Sequence, residues 1–166
     1  MSQPEDKNPS SDQATILIIA DDADFARTIT ARWQSERMMP AFTLMTGELC
    51  PGVNASAFDL AIVGAVRPGV LPSVLTILES TPNPVLFIAV DGPTAATVRE
   101  THTRTLILRQ YEGWLDALVL VASGALRAGE ALSHARRAEQ IAASCEGAMR
   151  RSAGTCWRCA TPSTMR

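Results

Sequence analysis

The chain predicts a doubly wound α/β fold: a parallel sheet with helices on both faces. Three observations carry this. Residues 15–20 (TILIIA), 59–66 (DLAIVGAV) and 84–90 (PVLFIAV) are short, β-branched runs with almost no polar interruption, as expected of strands covered on both sides. Helical patterns alternate with these runs. The 166 residues, 46% of them apolar, suffice for one ordinary domain with a real core plus tails.

Residues 15–20 give the first strand. Asp21-Asp22-Ala23-Asp24 follows, then a helical pattern from Phe25 to about Arg37. Asp24 is the expected cap, because a carboxylate there can accept from free N–H groups of the first turn. Residues 42–45 form a weak second strand and 59–66 the third. Residues 72–80 read as a short helix with Pro72 near its start, where a missing N–H costs nothing. Residues 84–90 are the fourth strand, and Asp91-Gly92-Pro93 is a turn. Residues 94–101 form a helix, 105–108 a fifth strand, and from Glu112 the pattern stays helical to about Ala143.

The balance of 15 basic and 17 acidic residues, net −2, gives no electrostatic case for nucleic acid. The first 13 residues are polar, with prolines and acids. They read as a disordered leader and lack the basic start and apolar run of a signal peptide. The longest apolar run, 114–122, falls short of the roughly 20 residues of a bilayer span. A cytoplasmic location is expected. Cys50, Cys145, Cys156 and Cys159 suggest no disulfide framework, and a reducing compartment is the default.

In open doubly wound sheets ligands bind at the carboxyl ends of the strands. Asp21, Asp22, Gly64, Ala89 and Arg109 all fall at such ends. The acidic pair after strand one, the DLxxxxxxxPG pattern of residues 59–69 and the later PVLFIA strand resemble the receiver (CheY-like) domain of response regulators over about residues 14–127. The resemblance implies a flavodoxin-like sheet of strand order 2-1-3-4-5, and in that family the acidic pair holds Mg²⁺. An aspartate after strand three accepts a phosphoryl group, and a Ser or Thr after strand four and a Lys after strand five contact it. Such chemistry rests on positioning and charge neutralisation. Here Asp21 and Asp22 match the acidic pair and Arg67-Pro68-Gly69 matches the turn after strand three. Gly64 stands for the acceptor, Ala89 for the hydroxyl residue, Arg109 for the lysine, and Gln110 for the proline that usually follows.

The resemblance therefore implies a degenerate pseudo-receiver: no catalytic residue, no cofactor, and at most weak Mg²⁺ at Asp21 and Asp22, since the third carboxylate of an octahedral oxygen site is missing. Left unneutralised, the two aspartates repel, and Arg109 is expected to pair with one of them. Gly64 and Ala89 are expected to leave the pocket roomier and less polar. The family signals through the face made by its fourth helix, fifth strand and fifth helix, which here would include Tyr111 and Trp114.

Other motifs are weaker. Cys156-Trp157-Arg158-Cys159 is a CxxC without a second ligand pair or a preceding strand, and His102 and His134 read as surface residues. Residues 128–143 continue as an Ala-rich, mixed-charge helix able to pair with a second copy. HARRAEQIAA resembles the linkers that precede the dimerisation helix of histidine kinases. Residues 144–166 lose the apolar period. Read one base out of register, Thr155 to Thr161 can encode Met-Leu-Glu-Met-Arg-His, which resembles a kinase histidine box, so this tail is expected to be out of frame and disordered. The expectation is a non-enzymatic regulatory segment of a histidine kinase in two-component signalling, working through protein contacts. A small-ligand sensor using the vacant pocket and a free-standing response regulator are the alternatives.

Overall fold

The computed structural model describes residues 13–155. Five parallel strands, β1 (Thr15–Ile19), β2 (Ala41–Met45), β3 (Leu60–Gly64), β4 (Val85–Ala89) and β5 (Thr105–Arg109), form one sheet in the order β2-β1-β3-β4-β5. This is a flavodoxin-like α/β architecture, the doubly wound sheet that the alternation of apolar runs and helices predicts. The helices are α1 (Ala23–Trp33), α2 (Leu71–Glu79), α3 (Gly92–Thr101) and α4 (Trp114–Thr155).

Successive strand side chains point to opposite faces, and the sheet sorts its apolar residues accordingly. Ile16, Ile18, Leu60, Ile62, Leu86 and Ile88 pack on one face with Phe25, Ile29 and Trp33 of α1 and Leu118 and Ala122 of α4. Leu17, Ile19, Val63, Phe87 and Ala89 pack on the other with Leu71, Val74, Leu75 and Leu78 of α2 and Ala95 and Val98 of α3. Strands β3 and β4 are buried along their whole length, which is why their sequences show no alternation of polar and apolar residues. On α1, Phe25, Ile29 and Trp33 recur every four residues and make one buried stripe. Trp33 closes it against Phe42 of β2, ring centroids 5.6 Å apart and edge to face.

The connection from β2 to β3 holds no α-helix. Two 3-10 turns, Gly47–Gly52 and Ala55–Ala57, take its place. Pro51 lacks the N–H a helix interior needs, and Gly47, Gly52 and Asn54 favour turns. Strand β2 is thus an outer strand whose burial is partial at best.

The chain divides at Gly129/Glu130 into two compact units, and α4 continues into the second. It runs past the expected end near Ala143 to Thr155. The CxxC at Cys156 and Cys159, the leader up to Asp12 and the end of the tail lie outside the described residues. Among the described residues, no helix is long and apolar enough to cross a membrane.

Candidate functional site

The carboxyl ends of β1, β3, β4 and β5 bring together the five residues singled out in the sequence. Asp21 and Asp22 follow β1, while Gly64, Ala89 and Arg109 are the last residues of β3, β4 and β5. The two carboxylates are engaged by the protein's own donors, and the space over Gly64 is filled.

Asp21 is held by its neighbours. Its Oδ1 accepts from the Gly47 N–H at 2.9 Å, and its Oδ2 accepts from the Arg67 N–H at 2.9 Å and from Arg67 Nε at 3.4 Å. Arg67 in turn pairs with Glu48. The Arg67 and Gly47 backbone N–H groups, aided by the Arg67 guanidinium, hold the Asp21 carboxyl below the ordinary carboxylate range despite partial desolvation. The carboxylate thus ties the loops after β2 and β3 to the end of β1. The expected partner, Arg109, is not the one that neutralises it. Arg109 is exposed at the end of β5, its guanidinium next to Gly92. It contributes instead to Asp91, whose carboxyl is held low by the Thr94 N–H first and by the Arg109 charge last.

Asp22, not Asp24, caps α1. Its backbone is extended (φ −99°, ψ 114°), and its Oδ1 accepts from the Asp24 N–H at 2.9 Å. The helix therefore starts at Ala23. Asp24 sits in the first turn, where its negative charge suits the helix N-terminus, and pairs with Arg27 at 2.7 Å. Both members of the acidic pair are thus committed to the protein's own donors. Among the described residues, no cluster of three or more His, Cys, Asp or Glu side chains could hold a metal ion.

The space over Gly64 is filled. A Cβ there would lie 2.8 Å from Phe25 Cε1, closer still to Phe25 Cζ, and 3.2 Å from Ile88 Cβ. The Phe25 ring stacks on Trp114, centroids 5.7 Å apart and planes within 9°. The expectation of a roomier pocket is therefore corrected: Phe25, at the head of the buried α1 stripe, takes the volume that the missing side chain releases. Ala89 is fully buried and adds no opening. Ala65, next along the chain, has φ 50°, a left-handed conformation that costs a non-glycine residue about 1 kcal/mol. Its carbonyl accepts from the Asp21 N–H at 3.1 Å, which fixes that bend against β1.

Trp114 is half-buried behind Phe25, whereas Tyr111 is exposed in the turn after β5. Sequence reasoning missed Phe25, Gly47, Glu48 and Arg67. Phe25 was visible as the first member of the Phe25–Ile29–Trp33 stripe. Nothing in the local pattern ties Arg67 to a residue 46 positions earlier.

His102, expected at the surface, corrects a further expectation. It is buried, its Nδ1 3.0 Å from Glu79 Oε2. Glu79 Oε1 accepts from Thr105 Oγ1 at 2.8 Å and from the Arg104 N–H at 3.2 Å. Desolvation alone would raise the Glu79 carboxyl, but the hydrogen bonds from His102 and Thr105 outweigh it and hold the group low. Cys50 is a free, buried thiol, pushed up by desolvation and therefore inert.

An open cleft of about 410 Å³ on the β2 side is lined by Ala20, Asp21, Ala23, Ala26, Thr30 and Leu44 among others. Comparison with family models, curated proteins and solved structures finds no match for the chain.

Proposed function

We propose that residues 14–127 are a phosphorylation-incompetent, receiver-like domain of bacterial two-component signalling, cytoplasmic and without enzymatic activity. It would act by protein contacts, as the regulatory segment of a histidine kinase joined through the helix of residues 128–143. The observation that carries this reading is the plugged acceptor position. In a flavodoxin-like sheet the ligand end is the carboxyl end of the strands. Here the residue at the end of β3 is Gly64, and Phe25 occupies the volume an acceptor side chain would need. The remaining carboxylates of that end serve as a loop tie (Asp21) and two helix caps (Asp22 and Asp91).

Without a covalent switch, regulation must come from differential binding of a partner to two arrangements of the domain. Partner contacts would use the exposed Tyr111 and the start of α4, or pairing of the helix with a second copy. The small-ligand alternative loses its main support with the pocket over Gly64 filled. The test is direct. The protein is incubated with Mg²⁺ and acetyl phosphate, or with Mg²⁺ and beryllofluoride, and followed by intact mass and amide NMR. Unchanged mass and spectra are expected. A stoichiometric adduct would overturn the reading.

A further inference from the structure

We propose that β2 is a dimerisation edge at which two copies of this chain pair antiparallel about a twofold axis through Thr43, joining their sheets. This does not depend on the receiver reading, because it rests on the backbone and composition of one strand.

The backbone comes first. The Ala41 N–H donates to Ala14 O at 2.8 Å, and Met45 O accepts from the Ala20 N–H at 2.9 Å. In a strand, the N–H and C=O of one residue point the same way and alternate along the chain, so Ala41, Thr43 and Met45 face β1. Phe42 and Leu44 then turn their N–H and C=O groups outward, where no further strand lies among the described residues. Antiparallel pairing about Thr43 sets Phe42 opposite Leu44 of the partner, and Leu44 opposite Phe42. These two residues carry the outward groups, so each pair exchanges two hydrogen bonds, and Thr43 meets Thr43 in the non-hydrogen-bonded position between them. A register one residue away would present the groups already used by β1.

The second observation is composition. Outer strands are ordinarily protected by charge, by proline within the strand or by a covering element. Residues 38–47 (MMPAFTLMTG) contain no charge, and the only proline precedes the strand. Met38, Leu44 and Leu49 are more than half exposed there, and the connection that follows β2 supplies only 3-10 turns. Exposed apolar residues gathered at one edge mark an interaction surface.

The third observation selects a second copy as the occupant. The uncharged stretch ends at Arg37 on one side and at Glu48 on the other, whose carboxylate is paired with Arg67 but still largely exposed. Antiparallel pairing brings the Arg37 end of each copy beside the Glu48 end of its partner, whereas a parallel arrangement would set like charges together. The edge is therefore complementary to itself, as a twofold interface requires.

The experiment uses the full chain with Cys145, Cys156 and Cys159 replaced by serine, leaving buried Cys50 in place. Residues at a non-hydrogen-bonded antiparallel pair lie about 4.5 Å apart at Cα, within disulfide reach. Thr43→Cys should therefore oxidise to a dimer of twice the 17.8 kDa chain mass, and exposed Thr97→Cys on α3 should not. Sedimentation velocity on the chain with Thr43 intact should show a dimer whose Kd rises about tenfold or more in Leu44→Lys, with an unchanged circular dichroism spectrum. Ser73→Lys, on the exposed face of α2, should leave that Kd unchanged. Three outcomes would overturn the proposal: a monomer at every concentration, Thr43→Cys cross-linking no better than Thr97→Cys, or a dimer dissolved by Leu132→Lys on α4 and not by Leu44→Lys.

Discussion

The two ends of the sheet use the same chemistry to different effect. At the amino ends of the strands, Glu79 at the last turn of α2 gathers His102, Thr105 and the Arg104 N–H, while Asp59 accepts from the N–H and hydroxyl of Thr15 at 2.8 and 2.9 Å. These bonds staple α2, α3, β1, β3 and β5 together where flavodoxin-like folds place no ligand. At the carboxyl ends, where such folds do bind ligands, Asp21, Asp22 and Asp91 are consumed in the same way, by loop N–H groups and helix starts. The difference lies in the centre. The amino end closes over a polar network, the carboxyl end over an aromatic one, Phe25 on Gly64 and Trp114 on Phe25. A site converted to structure in this way gains rigidity and gives up the free carboxylates that catalysis or metal binding would need.

The comparison breaks most visibly at Gly64. Gly64→Asp sets a side chain where there is no room, because its Cβ meets the Phe25 ring and its carboxylate enters an apolar layer. It should lose at least about 3 kcal/mol in urea denaturation. Phe25→Ala should cost about 3–5 kcal/mol by itself. If the two residues compete for one volume, the double variant will be more stable than the sum of the single losses by about 1 kcal/mol or more. Strict additivity would show that Phe25 is not the plug.

At the opposite end, Glu79→Ala leaves buried His102 and Thr105 without their acceptor and should cost about 1–3 kcal/mol. Asp21→Asn should be milder, about 1 kcal/mol at neutral pH, since one amide oxygen can still accept. Its pH signature is the sharper readout. The Asp21 carboxyl is lower in the folded protein than in the unfolded chain, so the unfolded state takes up its proton first as the medium is acidified. Its contribution is complete above the ordinary carboxylate range, near about 4, and fades as pH falls from there through the lower folded value. Asp21→Asn should therefore flatten the acid limb of the stability curve, and an unchanged limb would remove Asp21 from the tie. The smallest effect is expected at Arg109. Exposed and charge-coupled to Asp91 rather than to Asp21, Arg109→Ala should stay within about 0.5 kcal/mol. A larger loss of melting temperature would restore the ion pair first expected there.

Much of this protein is written locally. The strands were legible because burial on both faces leaves runs such as LAIVG and VLFIA with no polar residue. Their order is the one the receiver resemblance implied, and the position of Asp21, Asp22, Gly64, Ala89 and Arg109 at strand ends followed from the strands. Most element starts moved little, while α1 ended at Trp33 rather than near Arg37 and α4 at Thr155 rather than near Ala143. The most useful shift was at the start of α1, where an extended backbone at Asp22 made it the cap in place of Asp24.

What the sequence could not show is which side chain takes a vacated volume and which charge answers another. Phe25 reaches Gly64 across the sheet face, Arg67 reaches Asp21 across two loops, and His102 meets Glu79 across two helices. Each contact joins residues far apart in the chain, brought together only when the sheet closes. That a glycine ends β3 was a fact of the sequence from the start. That the space over it is filled rather than open was decided by packing, because a close-packed interior lets a neighbouring ring occupy the space a glycine leaves.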